Sequence, residues 1–211
     1  MSTFITPTEE ITRPWPLTSY TFNNFAQYIQ YFNADECKQY IRDGKENERT
    51  TLLKKGEVGN TEGNTNFEIR NSDVCFFKAH NPANNPLFSK LTEVLVGANQ
   101  SFFGYDIFDI EAVQFSTYSA GYDGFYTKHM DTTTNSSATG VRKLSFSVQL
   151  SPADSYEGGD LLLHTDMTPT VAPRELGSLI IFPSFTMHEV TPVTEGVRHS
   201  LVGWVTGPAW K

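Results

Sequence analysis

The chain has 211 residues, enough for one domain with a sizeable core. With 16 Phe, 9 Tyr, 3 Trp and only 19% charged residues it is not a disordered chain. Sixteen Lys and Arg against 24 Asp and Glu leave a net charge of −8, which excludes a phosphate-tracking surface, so no nucleic-acid partner is expected. Cys37 and Cys75 form neither a disulfide framework nor a Cys-x-x-Cys metal pair, which points to a reducing interior. Residues 1–16 carry acids and prolines where a signal peptide needs basic and apolar residues, and no 18-residue apolar run follows. The expectation is a cytoplasmic protein with no membrane partner.

Residues 1–24, with Pro7, Pro14 and Pro16, suit an extended arm. Asn33 followed by Glu36 reads as a capping box, and the helix it opens should run to about Ile41, ending before Gly44. The span 44–66 is polar and holds Gly56, Gly59 and Gly63; it is expected to be a mobile loop, with a lid over a site as its functional alternative. Leu87, Leu91, Val94, Leu95, Ala98 and Phe102 then recur at helical spacing. From there the period changes to two. Leu144, Phe146, Val148 and Leu150 alternate with Ser145, Ser147, Gln149 and Ser151, and further short runs lie at 107–118, 125–131, 161–164, 179–182 and 197–205. Helices followed by many short strands define an α+β, mainly β chain whose C-terminal half is a β-sandwich or jelly roll.

Five histidines are present, and one combination among them has chelating character. His129-Met130-Asp131 puts an imidazole and a carboxylate at i and i+2, on one face if the segment is a strand. His188, just after the apolar run 179–183, is the candidate third ligand of a two-histidine, one-carboxylate facial triad, an arrangement that suits Fe(II) and leaves three positions open. Arg198 follows ten residues later, across a turn signalled by Thr194-Glu195-Gly196, so a hairpin should bring its guanidinium beside the His188 strand. A buried arginine there calls for an anion, and a carboxylate is its natural bidentate partner. Ser200 and Trp204 share the Arg198 face. His164-Thr165-Asp166 spells the same motif, but only 21 residues separate Asp166 from His188 against 56 between Asp131 and His188, and a jelly roll needs several strands in that interval. His164, His80 and His199 are read as ordinary strand-end or packing residues.

The ordered set Tyr118-Ser-Ala-Gly121, Phe125-Tyr-Thr-Lys-His129-Met-Asp131, Arg142-Lys-Leu-Ser145-Phe-Ser-Val-Gln149-Leu150, Tyr156-Glu-Gly158-Gly159-Asp-Leu161, then His188, Arg198-x-Ser200 and Trp204, resembles the prolyl 4-hydroxylase-like branch of the Fe(II)/2-oxoglutarate-dependent dioxygenases. The resemblance spans about 111–204. It implies a double-stranded β-helix (jelly roll, cupin-like) with N-terminal helices packed on one side, in one catalytic domain over 1–211, with the arm, helices and supporting strands in 1–105 and the catalytic core in 106–211. Carried onto this chain, it implies His129, Asp131 and His188 as iron ligands. Arg198 becomes the partner of the distal 2-oxoglutarate carboxylate, with Ser200 assisting. Tyr118 corresponds to a tyrosine that touches the cosubstrate carboxylate nearer the metal, Gln149 stands where relatives use a tyrosine toward the distal one, and Ser145 is placed in the same pocket.

The implied activity is hydroxylation of a C–H bond with release of succinate and CO2. The implied cofactors are Fe(II), 2-oxoglutarate as cosubstrate, and ascorbate. The substrate that the resemblance points to is a prolyl residue in a peptide or protein, and the acidic surface would favour a basic segment. A free amino acid or other small molecule is the alternative within the enzyme class, and a non-catalytic jelly-roll binding module the alternative outside it.

Overall fold

A computed structural model describes residues 23–50, 54–55, 66–132 and 140–210. The arm expected over 1–24 lies outside the described residues except for its last two positions, and so do 51–53 and 56–65 of the expected loop. Two antiparallel sheets face each other. In chain order the elements are β1 (Ala26–Tyr28), α1 (Ala34–Thr50), β2 (Lys54–Lys55), β3 (Arg70–Asn71), β4 (Asp73–Phe77), α2 (Asn85–Ala98), β5 (Asp109–Ser119), β6 (Phe125–His129), β7 (Val141–Gln149), β8 (Tyr156–Gly158), β9 (Leu161–Leu163), β10 (Thr170–Val171), β11 (Leu179–Pro183), β12 (His188–Val190) and β13 (Val193–Gly207). The larger sheet runs β1-β11-β7-β13-β5-β4-β2 with β8 attached to β13, and the smaller runs β10-β9-β12-β6-β3. This is the expected double-stranded β-helix architecture.

The outer face of the larger sheet is covered by the two helices. Phe32, Leu87, Leu91, Leu95 and Ala98 pack there against Phe115, Phe146, Val148 and Leu201 in one buried cluster. The capping box forms as read: Asn33 Oδ1 accepts from Asp35 N and Glu36 N at 3.0 and 2.9 Å, and Asn33 N donates to Glu36 Oε2 at 2.7 Å. Glu36 also accepts from Lys90 Nζ at 2.7 Å, tying α1 to α2.

Several boundaries differ from expectation. α1 continues through Gly44 to Thr50, because Gly44 is there for close approach: a Cβ would sit 2.5 Å from the Phe115 ring. The expected loop therefore gives up 44–50 to a helix and 54–55 to β2, paired with β4. β1 precedes α1, and β2 to β4 fall between α1 and α2, so strands interrupt the helix-then-strand order inferred from periodicity. Phe102 falls in a π-type turn over Asn99–Phe103 and is exposed. β12 and β13 form no hairpin; Thr194, Glu195 and Gly196 lie inside β13, where the last two pair with β8.

A second apolar cluster, with Leu161, Leu163, Ile180, Phe182, Val190 and Val193, fills the space between the sheets. Ser145, Ser147 and Gln149 of β7 point into that space and are as buried as their apolar neighbours. Their polarity faces an internal cavity rather than solvent.

Candidate metal centre and its cavity

The ligand geometry starts from strand register. His129, the last residue of β6, stands directly across from His188, the first residue of β12, so two positions far apart in sequence become a cross-strand pair. Five strands, β7 to β11, lie between them in the chain. β6 stops at His129, so the histidine and the carboxylate do not share a strand face. Asp131 instead sits in a bend whose backbone is held from the side, with Asp131 N and Thr132 N both donating to Ser184 O at 2.9 Å. The bend brings the carboxylate to the two rings.

One ligand atom from each of His129, Asp131 and His188 lies within 4.8 Å of the others. His129 Nε2 is 3.7 Å from Asp131 Oδ1 and His188 Nε2 is 3.4 Å from Asp131 Oδ2. Each imidazole is oriented by a backbone carbonyl: His129 Nδ1 is 2.7 Å from Thr127 O and His188 Nδ1 is 2.9 Å from Thr186 O. A carbonyl can only accept, so Nδ1 carries the hydrogen and Nε2 presents its lone pair to the shared point. Burial and the neighbouring His188 push His129 down to about 4, against the pull of Asp131 and the Thr127 carbonyl, so the ring is neutral near pH 7. Burial alone would raise Asp131, but His188, His129 and the Ser145 hydroxyl outweigh it and hold the carboxyl below its ordinary range. Two imidazoles that present Nε2 and one carboxylate fit a divalent transition metal, and this donor set is the one non-haem Fe(II) oxygenases use.

The cavity beside the triad has a volume of about 470 Å³, part of it open to solvent. β13 contributes Arg198, Ser200, Val202 and Trp204 from one face, and β5 contributes Gln114 and Tyr118. Arg198 is 4% exposed; its Nε donates to Gln149 Oε1 at 3.1 Å and its guanidinium lies 5.7 Å from the Tyr118 ring centre. No acid pairs with it among the described residues. Gly159 adopts a left-handed conformation at φ 62, and a Cβ there would stand 2.8 Å from Val193 Cγ2 and 3.2 Å from Arg198 Cδ, so the glycine makes room for both side chains. Ser200 Oγ and Trp204 Nε1 are buried with no hydrogen-bond partner among the described residues. Such orphans in a cavity wall fit a polar occupant.

Two residues assigned to cosubstrate contacts do something different. The Gln149 amide donates to Ser151 O at 2.8 Å and Tyr156 Oη at 3.1 Å, so both of its hydrogens are used and its carbonyl orients Arg198. Ser145 donates to Asp131 Oδ2 at 2.7 Å and lies 3.0 Å from Ser184 Oγ; it steadies the carboxylate. Tyr118 and Ser200 line the cavity as expected. Arg198 arrives from the facing sheet, not across a hairpin. His164 Nε2 pairs with Glu189 Oε1 at 2.8 Å, away from the triad, and His199 turns to the helix side against Phe115. His80 is exposed in a turn beyond β4. Sequence reasoning passed over Ser184, Tyr126, which stacks 3.6 Å from the His129 ring, and Arg70, which lines the cavity. Of these, only Tyr126 carried a signal, its place in the quoted motif.

A two-histidine, one-carboxylate triad in a two-sheet β-helix has the donor set of the non-haem Fe(II) oxygenases. Known proteins are similar to the chain in sequence motifs and in fold. Residues 113–206 match the 2OG-Fe(II) oxygenase superfamily. A PKHD-type hydroxylase of Parvibaculum lavamentivorans is 45% identical over 62 residues, 29% of this chain and 28% of that protein. The chain thus matches less than a third of that relative's length. Among solved structures, a Pseudomonas putida prolyl-4-hydroxylase superposes with a TM-score of 0.70 at 21% identity, covering 87% of this chain and 92% of that one. A Trichoplax adhaerens prolyl hydroxylase, solved with a hypoxia inducible factor peptide, gives 0.72 at 17% identity over 88% and 84%. Over residues 113–206 the chain is similar to the 2OG-Fe(II) oxygenase superfamily, and its fold is that of the prolyl hydroxylase structures.

Proposed function

We propose that the protein is an Fe(II)- and 2-oxoglutarate-dependent hydroxylase whose substrate is a prolyl residue in a peptide or protein. The observation that carries this reading is a buried arginine without an acid, in the same cavity as two imidazoles whose Nε2 atoms converge with one carboxylate. Bound there, the metal supplies open coordination positions for 2-oxoglutarate and dioxygen, and the net change is C–H to C–OH as 2-oxoglutarate and O2 become succinate and CO2.

The chain's own part is to hold and to exclude. His129, Asp131 and His188 are the ligands, kept in the binding tautomer and ionisation by Thr127, Thr186 and Ser145. Arg198, set by Gln149, binds the distal carboxylate of the cosubstrate, with the Ser200 hydroxyl beside it as a further donor. Leu161, Phe182 and Val190 wall the cavity and keep bulk water from the reacting centre. The prolyl substrate is supported by the prolyl hydroxylases that share the fold and by the resemblance of the motifs.

Anaerobic addition of Fe(II) and 2-oxoglutarate should give a weak visible charge-transfer band. Admission of oxygen, with and without ascorbate, should then release succinate, and a prolyl-peptide screen by mass spectrometry should find a product heavier by one oxygen. A protein that shows no band and no succinate, indistinguishable from its Asp131→Ala variant, is the non-catalytic binding module instead.

A further inference from the structure

The cavity holds a second buried arginine that the reaction so far does not use. Arg70 lies on β3, in the smaller sheet, on the opposite wall from Arg198. It is 7% exposed, its Nε donates to Ser72 Oγ at 2.7 Å, and its guanidinium sits 4.6 Å over the Tyr126 ring, which in turn stacks on His129. Its two terminal nitrogens have no acid among the described residues. Burying a guanidinium carries a desolvation penalty that ring contact and one neutral hydrogen bond offset only in part.

Other arginines in the protein show what the usual compensation looks like. Arg142 lies 3.9 Å over the Trp204 ring and also makes a two-pronged pair with Glu111 at 2.8 and 2.7 Å. Arg174 lies 4.4 Å over Tyr156 and pairs with Asp160 at 2.8 Å. Among the described residues, both ring-backed arginines outside the metal cavity have an acid. Arg70 and Arg198, the two in the cavity, have a ring but no acid. One distal carboxylate of the cosubstrate satisfies Arg198 and leaves Arg70 for something else.

We infer that Arg70 is a substrate-recognition residue, and that the hydroxylated substrate carries a carboxylate which pairs with Arg70 while its reacting carbon faces the metal. This rests on the hydroxylase reading and narrows its substrate class. The carboxylate can come from a free chain terminus, as in a C-terminal residue or a free amino acid, or from an Asp or Glu side chain beside the reacting residue. A planar carboxylate matches the two terminal nitrogens in a bidentate way, which an amide cannot. The inference runs against the −8 charge of the whole chain, which repels anions at long range but does not set the contact made inside a cavity.

The test is calorimetric binding under argon, with Fe(II) and 2-oxoglutarate present so that no turnover intervenes. Three probes are compared: an N-acetylated peptide ending in a free prolyl carboxylate, the same peptide amidated, and an amidated peptide with Glu next to Pro. One of the two charged probes should bind wild type about tenfold or more tightly than the neutral one, and which of them does so identifies the source of the carboxylate. In Arg70→Gln that preference should shrink to about twofold or less, and Arg70→Lys should restore part of it. Because the preference is a ratio within one protein, it separates recognition from any change in metal loading. Equal affinity for charged and amidated probes in wild type, including no measurable affinity for any, overturns the inference, as does an undiminished preference in Arg70→Gln. A missing charge-transfer band in wild type would count against the hydroxylase reading itself.

Discussion

The two faces of the larger sheet are equally buried and chemically opposite. On the helix side β7 presents Leu144, Phe146 and Val148, with Leu150 just beyond its end, and β13 presents Leu201 and Val205. On the cavity side the same strands present Ser145, Ser147 and Gln149, then Arg198, Ser200 and Trp204, every one of them also buried. Burial by itself does not separate scaffold from site. What separates them is how much polarity is left without a partner among the described residues: the cavity face holds an arginine with no acid and the unpartnered Ser200 Oγ and Trp204 Nε1, whereas the helix side is apolar packing with one such atom, Tyr105 Oη, at its edge.

That contrast predicts opposite outcomes for truncations on the two faces. Asp131→Ala should remove Fe(II) binding and bring succinate formation below detection while the protein stays folded, because Ser145 and Ser184 can still bond to each other. Phe146→Ala, on the dry face of a neighbouring strand, should cost about 3–5 kcal/mol in denaturant unfolding. Metal binding retained in the first variant, or unchanged stability in the second, would erase the distinction. Arg198→Ala should come next in size, raising the 2-oxoglutarate dissociation constant roughly 30-fold or more, the equivalent of about 2 kcal/mol, with Fe(II) affinity little changed. Equal 2-oxoglutarate affinity in variant and wild type would remove the role given to that arginine. Ser145→Ala should be milder, weakening Fe(II) binding about 10–100-fold, since it removes the donor that steadies Asp131 without touching a ligand atom. Titration of Fe(II) into the apoprotein measures it.

How far the sequence alone reached depended on whether the cause was local. The alternation in 144–151 was legible because period two is a property of adjacent residues, and so was the capping box at Asn33. The triad was legible through the order and spacing of its motifs. The end of α1 was not: Gly44 has the look of a stop, and what it accommodates is Phe115, far along the chain. The approach of Arg198 to the metal was read as a hairpin because 188 and 198 are near in sequence, yet β12 and β13 belong to different sheets and meet only through the sandwich. Gln149 and Ser145 stand on the face read from the alternation, while their bonds to Arg198 and Asp131 were not legible, since a hydrogen-bond partner on another strand has no trace in the order of residues. Arg70 had no signal at all; its meaning depends on standing across from Tyr126 in the β3–β6 pair.

His199 tests the comparison from its exception, a titratable group on the dry face. Its ring stacks on Phe115, and Nδ1 lies 3.1 Å from Thr117 Oγ1, which donates to Glu48 Oε1 at 2.9 Å, so the threonine oxygen accepts and Nδ1 carries the hydrogen. Burial first, then Lys45 and Arg198, push His199 down to about 4. The unfolded chain binds this proton near the ordinary value of about 6.5, so between 6.5 and 4 it holds more protons than the folded protein. Stability from this group is therefore complete above about pH 6.5 and falls as pH drops toward 4, by up to about 1.4 kcal/mol per unit. The ring resonances of His199 should not titrate above about pH 5, and unfolding at pH 7, 5.5 and 4.5 should show the decline with metal bound as well as without, because His199 is no ligand. A His199 that titrates near 6.5 would mean the helix face admits water, and the line drawn between the two faces would then be one of degree.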